Sequence, residues 1–174
     1  MSLRITAGSF RSMRLQSPGQ GVRPTSDKVR QAVFSTILAY VQGAHVLDLF
    51  AGSGALGFEA LSRGAASATF VDASKRCIDV IKKNAAALGV LERVSIVKAE
   101  AFSFVGSCSS SYGLIFVDPP YHKSFASDIA RDVYKLLDIG GILVIEHESS
   151  ATIPLPAFKQ KRYGGTSITY VLKE

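Results

Sequence analysis

A glycine-rich segment, residues 52–57 (GSGALG), follows directly on a mostly apolar run at residues 45–50. The run predicts a buried strand, and the glycines predict a tight turn into a helix over residues 55–63. A strand, a glycine turn and a helix in this order open a parallel β-α-β unit whose turn lets the backbone approach a ligand. Asp72 comes 20 residues after Gly52, at the end of a second predicted strand (68–71). A carboxylate there can accept hydrogen bonds from both hydroxyls of a ribose, so the segment predicts an α/β fold with an adenosine-bearing cofactor.

The rest of the chain alternates strands and helices, which predicts a Rossmann-like sheet with helices on both faces. One helix begins after the capping signal Pro24-Thr25-Ser26-Asp27 and carries an apolar stripe to Val41. The other expected elements are helices at 75–88 (ending at Gly89) and 125–137 (stopped by Gly140-Gly141), strands at 94–97, 114–117 and 142–145, and a hairpin at 158–163 and 167–172. The expected sheet is therefore mostly parallel, with a C-terminal antiparallel hairpin.

Length and composition predict a single domain over residues 1–174, because 47% hydrophobic content is enough for one core. Residues 1–22 do not fit the strand–helix repeat, and residues 4–6 and 13–15 could pair as a small basic hairpin. No apolar stretch approaches the roughly 20 residues that span a bilayer, and the N-terminus lacks a signal-peptide core. Cys77 and Cys108 have no spacing for a metal site or a disulfide framework. We therefore expect a cytoplasmic protein without a metal, and a monomer by default.

The net charge of +6 is unevenly distributed along the chain. Residues 1–30 carry a net charge of +5 and residues 156–174 a net charge of +3, whereas residues 31–155 carry −2. Basic ends around a slightly acidic middle suit the binding of a polyanion. The alternative is a solvated surface that only keeps the protein soluble.

The tetrapeptide Asp118-Pro119-Pro120-Tyr121 follows an apolar run (113–117) that reads as a buried strand. It is therefore set at the carboxyl end of a strand, where open α/β sheets bind ligands. Two prolines cannot continue a sheet ladder, so the chain leaves the sheet in an extended shape. The Asp118 carboxylate and the Pro119 carbonyl can then accept hydrogen bonds from the NH2 of a flat group that stacks on Tyr121. The alternative is an ordinary turn after a strand.

Asp48 indicates which adenosine-bearing cofactor is used. It lies in the first strand, four residues before Gly52, and a carboxylate there would repel an incoming pyrophosphate. S-adenosylmethionine has no phosphate, and Asp48 could favour its ammonium and sulfonium groups while the helix start near Gly54 faces its carboxylate. A buried Asp48 that caps the amides of its own loop is the alternative, and the two roles can coexist.

These motifs, in this order and spacing, resemble those of the seven-stranded S-adenosylmethionine-dependent methyltransferases that modify exocyclic amino groups. The likeness is closer to one family, the 16S ribosomal RNA guanine-N2 methyltransferases of the RsmD type, and runs from residue 4 to residue 172. It is carried by residues 4–8 (RITAG), 23–30 (RPTSDKVR), 48–57 (DLFAGSGALG), 59–65 (EALSRGA), 118–121 (DPPY) and 163–166 (YGGT), and by Asp72.

The resemblance implies methylation of guanine 966 at N2 in 16S rRNA, within small ribosomal subunits or their assembly intermediates. It implies catalytic roles for Asp118, Pro119 and Tyr121, which would position the amine, with Asp118 as proton acceptor. The implied cofactor contacts are Thr25, Asp48, Phe50, Gly52, Ser53, Gly54, Asp72, Glu100, Ala101 and Asp118. Glu100 stands where the family often has Asp, and Asp72 where many relatives have Glu. Candidate RNA contacts are Arg11, Arg14, Arg23, Lys28, Arg30, Tyr121 and His122.

Three other functions fit parts of the sequence. Enzymes that methylate DNA adenine N6 or protein glutamine use similar Pro-Pro-Tyr loops, although they usually carry Asn at the position of Asp118. A nicotinamide oxidoreductase could use the glycine turn for a dinucleotide. A non-catalytic assembly factor could bind rRNA through the basic ends.

Overall fold

The computed structural model describes residues 3–19, 26–120 and 125–174, and its centre is a seven-stranded sheet in the order β3-β2-β1-β4-β5-β7-β6. The strands are β1 (His45–Leu49), β2 (Ser67–Asp72), β3 (Val94–Lys98), β4 (Tyr112–Val117), β5 (Leu137–Glu148), β6 (Lys159–Tyr163) and β7 (Thr166–Leu172). The helices are α1 (Asp27–Thr36), α2 (Ala55–Ser62), α3 (Lys75–Leu88), α4 (Ala101–Ser107) and α5 (Phe125–Lys135), with short 3-10 turns at Leu38–Tyr40 and Leu91–Arg93. Strands β1 to β5 are parallel, and β7 is antiparallel to both β5 and β6. The predicted fold class is confirmed.

The strand order reverses between β1 and β4. From β1 the chain builds outward to β2 and β3, and then crosses back to add β4 on the other side. The register pairs Leu49 with Val117, so the carboxyl ends of β1 and β4 lie side by side. Such a reversal leaves a crevice above the strand ends, because the following helices diverge to opposite faces.

The apolar core has two layers, one on each face of the sheet. Because successive side chains of a strand alternate between faces, Val46 and Phe116 join the layer under α1, α2 and α3. Leu47 and Ile115 join the layer under α4 and α5. Burial on both faces explains why the parallel strands read as nearly continuous apolar runs.

The ends of the helices follow local capping signals. Ser26 accepts a hydrogen bond from the Val29 amide at the start of α1, and Ser74 accepts one from the Cys77 amide at the start of α3. Gly89 ends α3 with φ 67°, a conformation that glycine adopts without strain. Helix α3 therefore has the bounds expected from the sequence.

Three elements differ from the sequence-based expectation. Helix α1 ends at Thr36, and a 3-10 turn at Leu38–Tyr40 takes the place of the rest of the stripe expected to reach Val41. Helix α4 is not predicted, because its seven residues (AFSFVGS) are too short and too rich in Ser and Gly to show a clear helical period. Strand β5 begins at Leu137, inside the predicted helix, because Leu137 pairs with Tyr112 before an irregularity shifts the register to Leu114↔Ile142. Helix α5 consequently ends at Lys135.

The N-terminal segment forms a short antiparallel pair, as its sequence suggests. Arg4 and Arg14 form a β-bridge, and the amides of Ile5 and Leu15 donate to the carbonyls of Met13 and Leu3. Leu3, Ile5 and Leu15 are buried in the core layer of α1, α2 and α3. The pair is thus docked by its apolar side chains, while Arg11 and Arg14 remain exposed.

Within the part of the chain that the structure describes, no helix has the length and apolar content to cross a membrane.

Candidate active site

A cavity of about 480 Å³ opens at the carboxyl ends of β1, β2 and β4. It lies where the strand order reverses, the position at which open α/β sheets hold ligands. The lining combines apolar and acidic side chains with backbone of the glycine turn. The lining residues are Arg30, Asp48, Phe50, Ala51, Gly52, Ser53, Ala55, Leu56, Val71, Asp72, Ala73, Ser74, Cys77, Ala99, Glu100, Ala101, Asp118, Pro119, Pro120 and Phe125.

The glycine turn forms one wall of the cavity, and its backbone is tightly folded. Phe50 has φ 63°, a left-handed conformation that is uncommon for a bulky residue and typical of functional sites. Gly54 caps α2 with φ 79°, and its amide donates to the Ala51 carbonyl at 2.7 Å. The Ser53 carbonyl accepts from Asn84 of α3 at 3.0 Å, which ties the turn to the neighbouring helix.

Asp72 holds the turn against the end of β2. Its Oδ2 accepts from the Gly52 amide at 2.9 Å, and its Oδ1 accepts from the Ser74 amide at 2.8 Å. Both carboxylate oxygens keep further lone pairs, because each can accept more than one hydrogen bond. The geometry therefore suits both a structural role and binding of a ribose diol.

Asp48 is buried beneath the turn, with 2% of its surface exposed. Its Oδ2 accepts from the Gly57 amide, in the first turn of α2, at 2.9 Å. Burial raises the pKa of Asp48 to about 7; the Gly57 hydrogen bond opposes this shift, and the charge of Asp72 adds to it. Asp48 thus accepts a hydrogen bond from the start of the helix that follows it and also lines the cavity; its contact with the cofactor stays a prediction.

Gly57 brings α2 close to β2. A Cβ atom at this position would lie 2.3 Å from Cε1 of Phe70 and 3.2 Å from Oδ2 of Asp48. Glycine is therefore required by the close approach of the helix to the strand.

The Asp118-Pro119 segment forms the opposite wall. The Asp118 amide donates to the Leu49 carbonyl at 3.5 Å, which joins the ends of β4 and β1. Asp118 and Pro119 are half-buried, and both line the same cavity as Gly52 and Asp72. A carboxylate and a backbone carbonyl thus face a site that the glycine turn also faces.

An aromatic cluster lies on the outer side of the cavity. The ring of Phe125, at the start of α5, packs edge-on against Phe50 at 6.3 Å and against Phe102 at 5.7 Å. Glu100 and Ala101, at the start of α4, line the cavity beside this cluster. Phe125 was not identified from the sequence; its position four residues after Tyr121 was the available signal.

The structure brings together most of the residues expected to bind the cofactor. Asp48, Phe50, Gly52, Ser53, Asp72, Glu100, Ala101 and Asp118 all line the cavity. Gly54 does not line it and acts as the N-cap of α2. Thr25, Tyr121 and His122 lie outside the described residues. Their assigned roles therefore stay predictions.

The candidate RNA contacts divide into exposed and buried residues. Arg11, Arg14 and Lys28 are exposed, as binding to phosphate requires. Arg30 is a correction: it is 1% exposed, and its guanidinium pairs with Asp27 and Glu59 instead of reaching the surface. Arg23 lies outside the described residues.

Glu59 of α2 is the centre of a buried polar network that was not identified from the sequence. It is fully buried and accepts from the amides of Thr6 and Ala7 and from Nε of Arg63. Nε of Arg30 lies 3.4 Å from its Oε2. The signal was the position of Arg30, which is four residues before Phe34 and seven before Ile37, on the apolar face of the first helix.

Residues 3–19, 26–120 and 125–174 contain no cluster of three or more His, Cys, Asp or Glu side chains that could hold a metal ion.

The sheet order, the glycine turn after β1 and the acidic residue that ends β2 define a class I methyltransferase. The chain belongs to the family described as "Conserved hypothetical protein 95", whose model matches residues 3–172, and it is an RsmD-type member of that class. The family resemblance seen in the sequence is thereby confirmed.

The relatives match this chain over most of their length. The chain is 32% identical to "Putative rRNA methyltransferase YlbH" of Bacillus subtilis, over 98% of this chain and 99% of that protein. It is 36% identical to "Ribosomal RNA small subunit methyltransferase D" of Escherichia coli, over 83% of this chain and 71% of that protein. Among solved structures, a "Putative methyltransferase yhhF" from Escherichia coli superposes with a TM-score of 0.89 at 30% identity, over the full length of both chains.

A more distant structure shares the fold alone. The Thermus thermophilus 16S rRNA N2 G1207 methyltransferase RsmC, solved with AdoMet and guanosine, superposes with a TM-score of 0.77 at 16% identity. The match covers all of this chain and 50% of that protein.

Proposed function

We propose that this protein transfers a methyl group from S-adenosylmethionine to the exocyclic N2 of a guanine in 16S rRNA, at the position (966) implied by the RsmD-type resemblance. S-adenosylmethionine is the methyl donor of this class. The names of the relatives support an rRNA substrate. The observation that carries the proposal is the shared cavity: Asp118 and Pro119 line one wall, and the glycine turn and Asp72 line another.

Different residues of the cavity bind different parts of the cofactor. Asp72 accepts the ribose hydroxyls, since its two oxygens are fixed by the Gly52 and Ser74 amides and keep lone pairs for a ligand. Glu100 and Ala101, which line the cavity at the start of α4, bind the adenine. The cofactor supplies an electrophilic methyl group on a sulfonium, which the acidic lining of the cavity favours electrostatically.

Asp118 and Pro119 bind and orient the amine. Guanine N2 is a weak nucleophile because its lone pair is delocalised into the ring. Hydrogen bonds from its NH2 to the Asp118 carboxylate and the Pro119 carbonyl stabilise the positive charge that develops on N2. The same bonds hold the nitrogen in line with the methyl group. Positioning of this kind supplies several kcal/mol of a barrier. Asp118 then accepts the proton that N2 loses.

The exposed basic residues of the N-terminal pair provide the surface for RNA. Arg11 and Arg14 are exposed beside a backbone that is anchored by buried Leu3 and Ile5. Lys28, also exposed, adds a cation at the start of α1. The substrate in this proposal is the small ribosomal subunit or an assembly intermediate. The protein acts on it as a monomer, and a cytoplasmic location follows from that substrate.

Mass spectrometry of 16S rRNA nucleosides tests the proposal. We expect N2-methylguanine to disappear at one position when the gene is deleted and to return on complementation with the wild type but not with Asp118→Ala. The variant should bind S-adenosylhomocysteine within about threefold of wild type, because Asp118 acts on the amine. Unchanged N2-methylguanine in the deletion strain would refute the proposed substrate. Label transferred instead to DNA or protein would identify another nitrogen acceptor.

A further inference from the structure

Arg30 is a buried cation in the cavity wall whose guanidinium is only partly paired. Its Nη2 donates to Oδ1 of Asp27 at 2.8 Å and to the Arg4 carbonyl, and its Nε pairs with Glu59. Among residues 3–19, 26–120 and 125–174, neither Nε nor Nη1 has a hydrogen-bond partner; Nε still lies 3.4 Å from Oε2 of Glu59, whereas no ion pair is identified for Nη1. Buried donors without a partner are rare, and each one calls for an explanation. Because Arg30 lines the cavity, an acceptor on the bound ligand is a direct explanation.

The charges around the cavity restrict what that acceptor can be. Arg30 is the single cation among the described lining residues, which also include Asp48, Asp72, Glu100 and Asp118. A ligand carboxylate placed among these acids would be repelled unless it met the guanidinium. Arginine also offers planar, charge-assisted hydrogen bonds, which are stronger than neutral ones.

The other anion site expected from the sequence is partly occupied: one of its amides, that of Gly57, is already used by Asp48. The first turn of α2 could bind a carboxylate through its free amides. Its Gly57 amide, however, donates to Oδ2 of Asp48 at 2.9 Å. A ligand carboxylate brought to this turn would therefore meet a buried acid, whose pKa burial raises to about 7.

We propose that Nη1 of Arg30 binds the carboxylate of the methionine end of S-adenosylmethionine, while Asp48 accepts its ammonium group. This assignment rests on the methyltransferase function proposed above. Asp72 at the end of β2 fixes the ribose, and Asp118 after β4 fixes the target amine. The amino-acid end of the cofactor then extends toward the face of the sheet that α1 and α2 cover, where Arg30 lies.

Among the described residues no ion pair joins Asp48 to Arg30, which supports a zwitterionic ligand. Both side chains are buried and line the cavity, yet the ion pairs of Arg30 are made with Asp27 and Glu59. A buried acid and a buried base that line one cavity without pairing with each other can each bind the opposite charge of an amino acid. Arg30 is thus a cofactor-binding residue and not a contact for RNA phosphate.

Calorimetry on the wild-type protein tests the carboxylate contact without any substitution. The two ligands are S-adenosylhomocysteine and its decarboxylated analogue, which keeps the amine. We expect the analogue to bind at least about 30-fold more weakly, the order of effect of one lost charge-assisted hydrogen bond. Affinities within about threefold of each other would overturn the assignment. If neither nucleoside binds, the methyltransferase function fails, and this assignment fails with it.

Two arginine variants then identify the residue that binds the carboxylate. Arg30→Gln should weaken binding of S-adenosylhomocysteine by about 30-fold and leave the affinity for the decarboxylated analogue within about twofold. The control is Arg63→Gln, because Arg63 also pairs with Glu59 but does not line the cavity; it should keep the preference for the carboxylate. An equal loss for both ligands in Arg30→Gln would show a structural role instead. If Arg30→Gln leaves the affinities for both nucleosides unchanged but raises the KM for RNA, Arg30 contacts the target guanine and not the cofactor.

Discussion

Replacing Asp48 with Asn should stabilise the cofactor-free protein at alkaline pH and weaken its binding of S-adenosylmethionine. Asp48 is 2% exposed and has one protein hydrogen bond identified in the structure, from the Gly57 amide. Burial raises its pKa from the ordinary value of 3.8 to about 7. Asparagine has the same shape and can still accept from Gly57, so the change removes the charge and little else.

The sign and size of the effect follow from proton linkage. A folded-state pKa that is raised for an acid means that the unfolded chain gives up the proton first, so stability falls as pH rises from about 4 to about 7. Below this window both states are protonated and there is no cost. Above it, a shift of about 3 units corresponds to roughly 4 kcal/mol at most, at about 1.4 kcal/mol per unit. Asp48→Asn should recover a large part of this at pH 8 and nothing at pH 4.

Urea denaturation from pH 4.5 to pH 8.5 measures the difference directly. Asp79→Asn is the matched control, because Asp79 is an exposed carboxylate on α3 that pairs with Lys75. The control should follow the wild-type curve within about 0.5 kcal/mol. If Asp48→Asn and the wild type show parallel pH curves, Asp48 does not titrate between pH 4 and 7 in the folded protein, and the reasoning is refuted.

Binding of S-adenosylmethionine should show the opposite dependence on pH. The ammonium and sulfonium groups of the cofactor favour the ionised form of Asp48. Affinity of the wild type for S-adenosylmethionine should therefore rise between pH 6 and pH 8, as this carboxyl loses its proton. In Asp48→Asn the rise should be absent. An affinity that rises equally in both proteins would place the responsible group elsewhere.

Two further substitutions test the packing beneath the site. Gly57→Ala should destabilise the protein by about 1–2 kcal/mol in urea denaturation. The new Cβ would lie 2.3 Å from the buried Phe70 ring, and this overpacking outweighs the gain in helix propensity. Stability equal to or greater than wild type would show that α2 can move away from β2. Glu59→Gln should cost about 3 kcal/mol and expose the N-terminal pair to proteolysis, since it leaves the buried Arg30 and Arg63 undercompensated. The exposed Glu92→Gln is its control, and resistance to protease equal to wild type would contradict the anchoring role of Glu59.

The sequence predicts the sheet and the cavity floor well because these depend on local, strongly patterned signals. The run at 45–50 and the glycines that follow it produce β1 and the turn, and Asp72 lies where its spacing from Gly52 predicts. The onset of β5 was wrong, because the pairing of Leu137 with Tyr112 is a tertiary contact that overrides helical periodicity. The sequence analysis treats Arg30 as a surface residue because it is charged. Its buried partner, Glu59, lies 29 residues away in sequence, and their pairing is a tertiary contact that the charge pattern does not show.

The pairing of the buried charges separates those that hold the fold from those available to a ligand. Glu59 is saturated by its own chain, with hydrogen bonds from Thr6, Ala7 and Arg63 and an ion pair with Arg30. Asp48 has one hydrogen bond identified in the structure, and Nη1 of Arg30 has none among the described residues. An acid such as Asp48, buried with one hydrogen bond and with no ion pair identified among the described residues, costs stability in the absence of ligand, so its neutral isostere should be tolerated or stabilising. A buried charge whose partners are all supplied by the protein, such as Glu59, stabilises the fold, so its neutral isostere should destabilise it. If Asp48→Asn destabilises the cofactor-free protein as much as Glu59→Gln does, both acids are structural, and Asp48 is not available to bind the cofactor.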